Sequence, residues 1–390
     1  MSRKIVFSLF LVCVMLVTTG IAYPVQARPA YSWEQVNAPD IVVPGQMFTA
    51  LEEFQGQLYA GTENFFYTSS VPEPVGVWRS TNGRKWTKVL DAGTSNWLHF
   101  GKFRGQLYVG GTSTGDPNSA LPAHIWRSRD GANWEDVVTD GFGDPNNVSI
   151  ASFSEFRGMF YASTFNFDTG AGLTPTGTQI WGSPSGDPGT WRKVFTPNNP
   201  DRFEVTGFYQ FRGKLYAALE AGTTSFQLWC TGDGLKWNKV GQDGFGNPNA
   251  LSTSNPLEWQ GNLYLGFGSL DPARSMIGQL WRSTDGIKWV QVMGAWSKDP
   301  NNTKVESLVI YQGDLYAVTD NLVTGAIVWR TQDGKHWEQA SQPGFGDPAN
   351  TSTQWGSGVK VFRGDLYVGT GKMNAVYPED ITGEIWRLNH

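Results

Sequence analysis

Short runs of alternating apolar and polar residues, broken by Gly, Asp and Asn, run along the chain from about residue 31 to its end. Such period-two runs, rich in aromatic and β-branched residues, predict strands, and no helix-period stretch competes with them. The runs also repeat. An aromatic-x-Gly-x-(Leu/Phe)-Tyr element starts at Phe54, Phe103, Phe156, Phe211, Trp259, Tyr311 and Phe362, seven copies 48 to 55 residues apart. An apolar residue followed by Trp recurs at Trp78, Trp126, Trp181, Trp229, Trp281, Trp329 and Trp386. Ser/Thr-x-Asp/Asn-Gly-x-x-Trp ends at Trp86, Trp134, Trp237, Trp289 and Trp337, and a copy two residues longer ends at Trp191.

Each repeat reads as four short strands, a to d. The Arg/Gln-Gly step is the a–b turn, and Asp-Gly is the c–d hairpin, because these residues tolerate positive φ. A seventh c–d hairpin is missing, since the chain stops at Trp386-Arg-Leu-Asn-His390. Ser32-Trp33-Glu-Gln-Val36 matches Trp289-Val-Gln-Val292 and Trp337-Glu-Gln-Ala340. The N-terminal segment is therefore expected to supply the last outer strand. Four-stranded units of about 50 residues repeated seven times predict an all-β, seven-bladed β-propeller, its ring closed by pairing of the N-terminal strand with the C-terminal blade. The rival, a linear solenoid, gives no reason for the two ends to match. Fourteen of the 18 Trp residues become scaffold, leaving Trp97, Trp259, Trp296 and Trp355 outside the two Trp strands.

Composition narrows the classes. With 390 residues, 47 Gly, 21 Pro and 14% aromatics, the chain is neither disordered nor a coiled coil. Its 35 acidic and 30 basic residues leave no positive excess for phosphates, so no nucleic-acid partner is expected. Arg3 and Lys4, the apolar run Ile5 to Ala22 and Val25-Gln26-Ala27 read as a signal peptide over 1–27, with 28–390 as a single propeller domain. The expectation is export, N-terminal membrane anchoring being the alternative reading of the same run, with no stable membrane span after cleavage. Only Cys230 then remains, so no internal disulfide can form and a monomer held by its core is expected.

The Ser/Thr-x-Asp-Gly-x-x-Trp hairpin resembles the Asp-box turn of sialidase-type propellers and their non-enzymatic relatives, with Asp and Gly adjacent where the box usually separates them by one residue. The resemblance covers nearly all of the chain after residue 27. It implies the propeller and leaves the chemistry open. A sialidase needs three arginines around a carboxylate, together with a Tyr nucleophile and Glu. Here the arginines fall at repeat positions, except Arg202 and Arg274 in opposite-face loops and Arg28 in the tail, so sialidase activity does not follow.

The a–b and c–d turns share one face and are short. The b–c and d–a connections share the other and vary, with long loops at 61–76, 110–124, 163–179, 268–279 and 369–384. Variable loops on a uniform scaffold are where a site is expected. After strand b, Glu63-Asn64, Glu220 and Asp320-Asn321 occupy one register, with Phe165-Asn166 in the same place. They read either as an acidic, amide-bearing rim for sugar hydroxyls or a hard cation, or as strand ends in water. The first half of strand a, the channel strand, carries Trp97, His99, Glu204, Asn255, Glu306 and Trp355. Rings near carboxylates suit a sugar; the alternative is that Trp97 and Trp355 pack between blades. Gly-Phe-Gly-Asp/Asn-Pro at 141–145, 244–248 and 344–348, with a degenerate copy at 298–302, reads as a turn whose Phe pins the loop over its own blade. Clustered Asp and Asn there suit a structural calcium, but no loop has a calcium-motif spacing. No other cofactor is expected, and catalytic residues are not assignable. His99 and His124 share a repeat, too few for zinc.

Three functions compete on this reading: an exported binder of a carbohydrate or cell-surface protein through the long-loop face, a glycoside hydrolase or polysaccharide lyase with paired carboxylates at the channel mouth, and an interaction scaffold.

Overall fold

The computed structural model describes residues 31–37, 41, 46–64, 75–93, 97–112, 122–168, 174–268, 276–292, 294–352, 358–372 and 382–389. Segment 1–27 and Trp355 lie outside these residues, as does the side chain of Asn64. Among the described residues the regular structure is strand and short 3-10 turns.

Every repeat is an antiparallel meander. The first runs Gln46–Phe54, Gln57–Asn64, Gly76–Ser80 and Trp86–Asp91, and the second Leu98–Phe103, Gln106–Gly111, His124–Ser128 and Trp134–Val138. The third has Asn147–Phe156, Met159–Asp168, Ile180–Ser183 and Arg192–Phe195, and the fourth Glu204–Phe211, Lys214–Glu220, Gln227–Thr231 and Trp237–Val240. In the fifth, strand a is split into Ser252–Thr253 and Leu257–Trp259, each paired with strand b, Asn262–Gly268. Pro256 lies in the break and has no N–H for the ladder. The sixth, starting with Asn302–Tyr311 and Asp314–Asn321, shares a sheet with the fifth through one bridge, Gly268 to Lys304. The seventh comprises Val359–Phe362, Asp365–Thr370 and Glu384–Asn389. Ser32–Gln35 is its fourth strand, with Trp33 opposite Leu388 and Gln35 opposite Trp386.

Turn chemistry explains the repeated letters. The residue before each a–b glycine has φ of 47–51° and the glycine 70–86°, the double positive φ of a two-residue hairpin turn. Where that first residue is Arg, its guanidinium lies 5.1–5.5 Å from the ring of the preceding Phe. In the c–d hairpins the Ser128, Thr231 and Ser283 hydroxyls each accept the N–H of the hairpin glycine at 2.8 Å. The Asp carboxylate beside it accepts two further N–H groups, as Asp130 does from Ala132 and Asn133. Those bonds hold Asp233 down to about 2, first through the N–H of Lys236.

The same glycines join successive repeats. A Cβ on Gly131, Gly186, Gly234, Gly286 or Gly334 would collide with the phenol of Tyr59, Tyr108, Tyr161, Tyr216 or Tyr264, in each case the tyrosine of the preceding repeat. Tyr367 of the seventh stands in the same relation to Gly83 of the first. Apolar clusters follow suit: Phe103, Tyr108 and Ile125 pack with Phe160 and Trp191, while Phe48, Leu58 and Trp86 pack with Phe362, Tyr367 and Ile385.

The Gly-Phe-Gly loops differ from expectation in one respect. Phe142 stacks on Trp181 at 4.6 Å and Phe345 on Trp386 at 5.1 Å, so each Phe pins its loop to the next repeat, where the strand-c Trp offers a flat face. An Asn six residues after the first glycine secures the loop: Asn147 donates to the Gly141 carbonyl at 2.7 Å, and Asn350 to that of Gly344 at 3.0 Å. Asp144 and Asp347 each accept a backbone N–H two residues on and a side-chain donor, from Gln179 and Lys372. Their carboxylates are thus occupied by the turn itself.

Candidate functional site

The inner ends of strands a and b place chemistry by register. Met47 opposes Glu63, Glu204 opposes Glu220, and Lys304 opposes Asp320. Directly opposed residues of an antiparallel pair point to the same face of the sheet. Glu306 sits at a bulge between Val305 and Ser307; the same skip occurs between Phe48 and Ala50, Ile150 and Ser152, and Val205 and Gly207. A bulge re-aims the extra residue, so one irregularity is reused in strand a of several repeats. Gly268 lets Lys304 in, because a Cβ there would overlap the Thr303 carbonyl and the Lys304 backbone.

Glu63, Glu204, Glu220, Glu306, Asp320 and Lys304 are all buried. The rim expected to face water is therefore an interior cluster. Lys304 Nζ donates to Glu306 Oε2 at 2.7 Å and to Ser252 Oγ at 2.8 Å. A single ammonium cannot offset five neighbouring carboxylates away from water, so protons must stay on some of them. Burial, and then the Glu220 charge, push Glu204 well above the usual carboxylate range. Burial pushes Glu220 up to about 7, against the pull of Lys304 and a hydrogen bond with Ser252. Asp320 is raised by burial and by Glu306. Lys304 resists its own burial because Glu306, Glu220 and Asp320 hold its proton.

Beside this cluster is a cavity of ≈ 150 Å³ whose walls include Trp97, Phe165, Phe167, Phe203, Glu204 and Glu220. Trp97 and Phe165 lie 5.1 Å apart between centroids, and Phe203 meets Phe165 edge-on at 5.2 Å. His99 also borders it; burial lowers that imidazole to about 4, so it is neutral at neutral pH. His99 borders a second cavity of ≈ 170 Å³ as well, with Asn255, Thr206 and Glu52. Burial pushes Glu52 up, but Lys360 and Lys102 hold it below the usual range, at 2.6 and 2.9 Å.

The structure thus brings Trp97, His99, Glu204 and Glu220 to one cavity and puts Asn255 in the next. Glu63, Glu306 and Asp320 stand behind as charge neighbours. Asn64 pairs through its backbone with Gln46. The amides of that register are structural: Asn321 donates to Asn302 at 3.1 Å, and Asn166 to Asn147. His124 does not join His99; it bonds Asp136 at 2.8 Å and stacks on Trp126, two strands away in the sheet. Arg202 is buried, bonding the Ser225 carbonyl and Asp243, so it is spent on the scaffold. Among the described residues no group of three or more His, Cys, Asp or Glu is arranged to hold a metal ion.

Solved structures with similar architecture include a xyloglucanase from Xanthomonas campestris (TM-score 0.53, 16% identity, 90% of this chain and 55% of that one). A Trypanosoma rangeli sialidase matches with TM-score 0.51 and 12% identity, over 88% of this chain and 59% of the sialidase. An α-L-arabinofuranosidase from Fusarium graminearum, bound to an iminosugar inhibitor, matches with TM-score 0.50 and 15% identity, over 89% of this chain and 96% of that one. The chain spans little more than half the length of the first two. The likeness shows the fold, an all-β, sialidase-like propeller. No family model matches the chain. No curated protein matches it in sequence.

Three site residues escaped sequence reasoning. Phe167 follows Phe165 by two, so both face one way, a signal that was there to be read. Phe203 precedes the strand Glu204–Phe211 just as Trp97 precedes Leu98–Phe103. Lys304 gave little signal, because lysine is seldom fully buried.

Proposed function

We propose that the protein is an exported, seven-bladed propeller that binds a carbohydrate in the cavity at the long-loop end of its channel. The observation that carries the reading is one cavity lined by Trp97, Phe165, Phe167 and Phe203 together with Glu204 and Glu220. Rings stack on the apolar face of a sugar, and carboxyl groups bind its hydroxyls. The volume, below the ~300–1,000 Å³ of pockets for drug-sized ligands, suits a single sugar ring. Ring closure in this reading rests on the pairing of Ser32–Gln35 with Glu384–Asn389 and on the Tyr367–Gly83 contact. Export rests on residues 1–27. No helix among the described residues is long and apolar enough to cross a membrane. The carbohydrate-acting enzymes among the structural neighbours are consistent with a sugar ligand.

A glycoside hydrolase is the second reading, favoured by carboxyls held protonated near neutral pH. Binding ranks first because Glu204 and Glu220 share one wall, whereas hydrolysis needs carboxyls on both sides of the scissile bond. A polysaccharide array scored for retention and cleavage separates the readings. Retention without cleavage is expected. Cleavage abolished by Glu204→Gln would replace binding with hydrolysis, and neither retention nor cleavage would leave a scaffold.

A further inference from the structure

The cavity has a chemical bias that a neutral sugar does not use. Four aromatic rings line it, and its ionisable walls are two carboxyls and a neutral imidazole. None of the described residues lining it is cationic. Lys304, the nearby cation, is committed to Glu306 and Ser252. Glu220 is nine-tenths buried, and its Oε2 has no hydrogen-bond partner. An acceptor of that kind, set among rings, matches a donor that brings positive charge with it.

We propose that the cavity selects an ammonium-bearing sugar, an amino sugar with a free amine, with the amine between the aromatic wall and Glu220. This rests on the carbohydrate reading and narrows it. Neutral hydroxyls gain one ordinary hydrogen bond from a carboxyl. An ammonium gains a charge-assisted bond and a cation–π contact, both strengthened where water is excluded. N-acetylation removes that charge and adds bulk to a small cavity.

The ionisable groups around the pair give the inference a second signature. Glu204 and Glu220 face Glu63 from the first repeat, His99 from the second, and Lys304 and Glu306 from the sixth, with Asp320 beyond, against Lys304 and Glu306. This crowd keeps a proton on the pair while the cavity is free of ligand. An arriving ammonium favours the carboxylate, so Glu220 releases its proton to the buffer as the amine binds. A neutral sugar does not drive that release.

The test uses the whole protein and matched glycans on one array: glucosamine oligomers, their N-acetylated forms and glucose oligomers of the same length and linkage, at about pH 6.5, where the amine is charged. Free-amine members are expected to bind on the order of tenfold more tightly than their neutral partners. Calorimetry of the best binder in buffers of different ionisation enthalpy should report release of up to about one proton per site. Glu220→Gln should bring the ratio of amine to neutral binding towards one. Neutral partners bound as well as, or better than, their amines would overturn the inference and keep the carbohydrate reading. Amine preference without proton release, or a ratio unmoved in Glu220→Gln, would also overturn it. Retention of no glycan at all would remove both.

Discussion

Single residues in this protein are held by contacts that reach across repeats, and their substitution should show it. Asn37 is buried; it donates to the Ile41 carbonyl at 2.9 Å and the Gly383 carbonyl at 3.1 Å, and accepts the Ile385 N–H at 2.9 Å. Asn37→Ala strands three backbone groups and should cost ~2–4 kcal/mol in chemical denaturation. Gly131 has φ +68° and lies under the Tyr59 phenol, so Gly131→Ala meets both backbone strain and a clash. We expect a loss of ~2–3 kcal/mol, only partly relieved in Gly131→Ala combined with Tyr59→Phe, because the ring carbon Cζ still lies 2.5 Å from the added methyl. Glu204 and Glu220 act in the opposite sense to surface acids. Their folded pKa values lie above the unfolded one, so their contribution is most favourable below about pH 4.3 and is lost as pH rises towards the folded value, about 7 for Glu220. The melting temperature should fall between pH 5 and pH 8, and Glu220→Gln should flatten that slope. An unchanged slope in the variant would show that other groups set it.

Strands and turns were legible where local chemistry dictates them. The a–b turns declared themselves through Gly56 and its counterparts, and the c–d hairpins through Asp-Gly, because positive φ narrows the choice of residues at those positions. Trp33 was legible as an outer-strand residue by its match to Trp289 and Trp337. In the structure its indole donates to the Ala340 carbonyl at 2.7 Å and meets Phe345 at 5.0 Å. Trp33→Ala should therefore destabilise the whole molecule by ~2–4 kcal/mol, read as one cooperative transition at lower denaturant. A separate early transition would show instead that the segment frays alone. The bulges that aim Glu306 and its equivalents were not legible, since a skipped register leaves the sequence pattern almost intact. Nor was the neighbour chosen by Phe142: its role as a pin follows from the loop, but which Trp it finds depends on how repeats abut.

At the scale of the molecule, repetition makes the scaffold readable and hides the site. Whatever recurs seven times is structure, so the departures carry the specificity: Phe165 where Glu220 stands in the next repeat, and Lys304 where Glu204 stands two repeats earlier. Sequence could put these in one register, but burial decided their chemistry. Glu63 and Asp320 read equally well as wet strand ends, and only the folded structure shows them kept from water. A charged interior of this kind is costly to fold, which suits a feature kept for recognition rather than for stability. The most direct test is a crystal structure of the protein with the glycan it retains best. A sugar ring against Trp97 and Phe165, with a polar group on Glu204 or Glu220, is the predicted result. A sugar held on the face of the c–d hairpins, away from that cavity, would contradict the account.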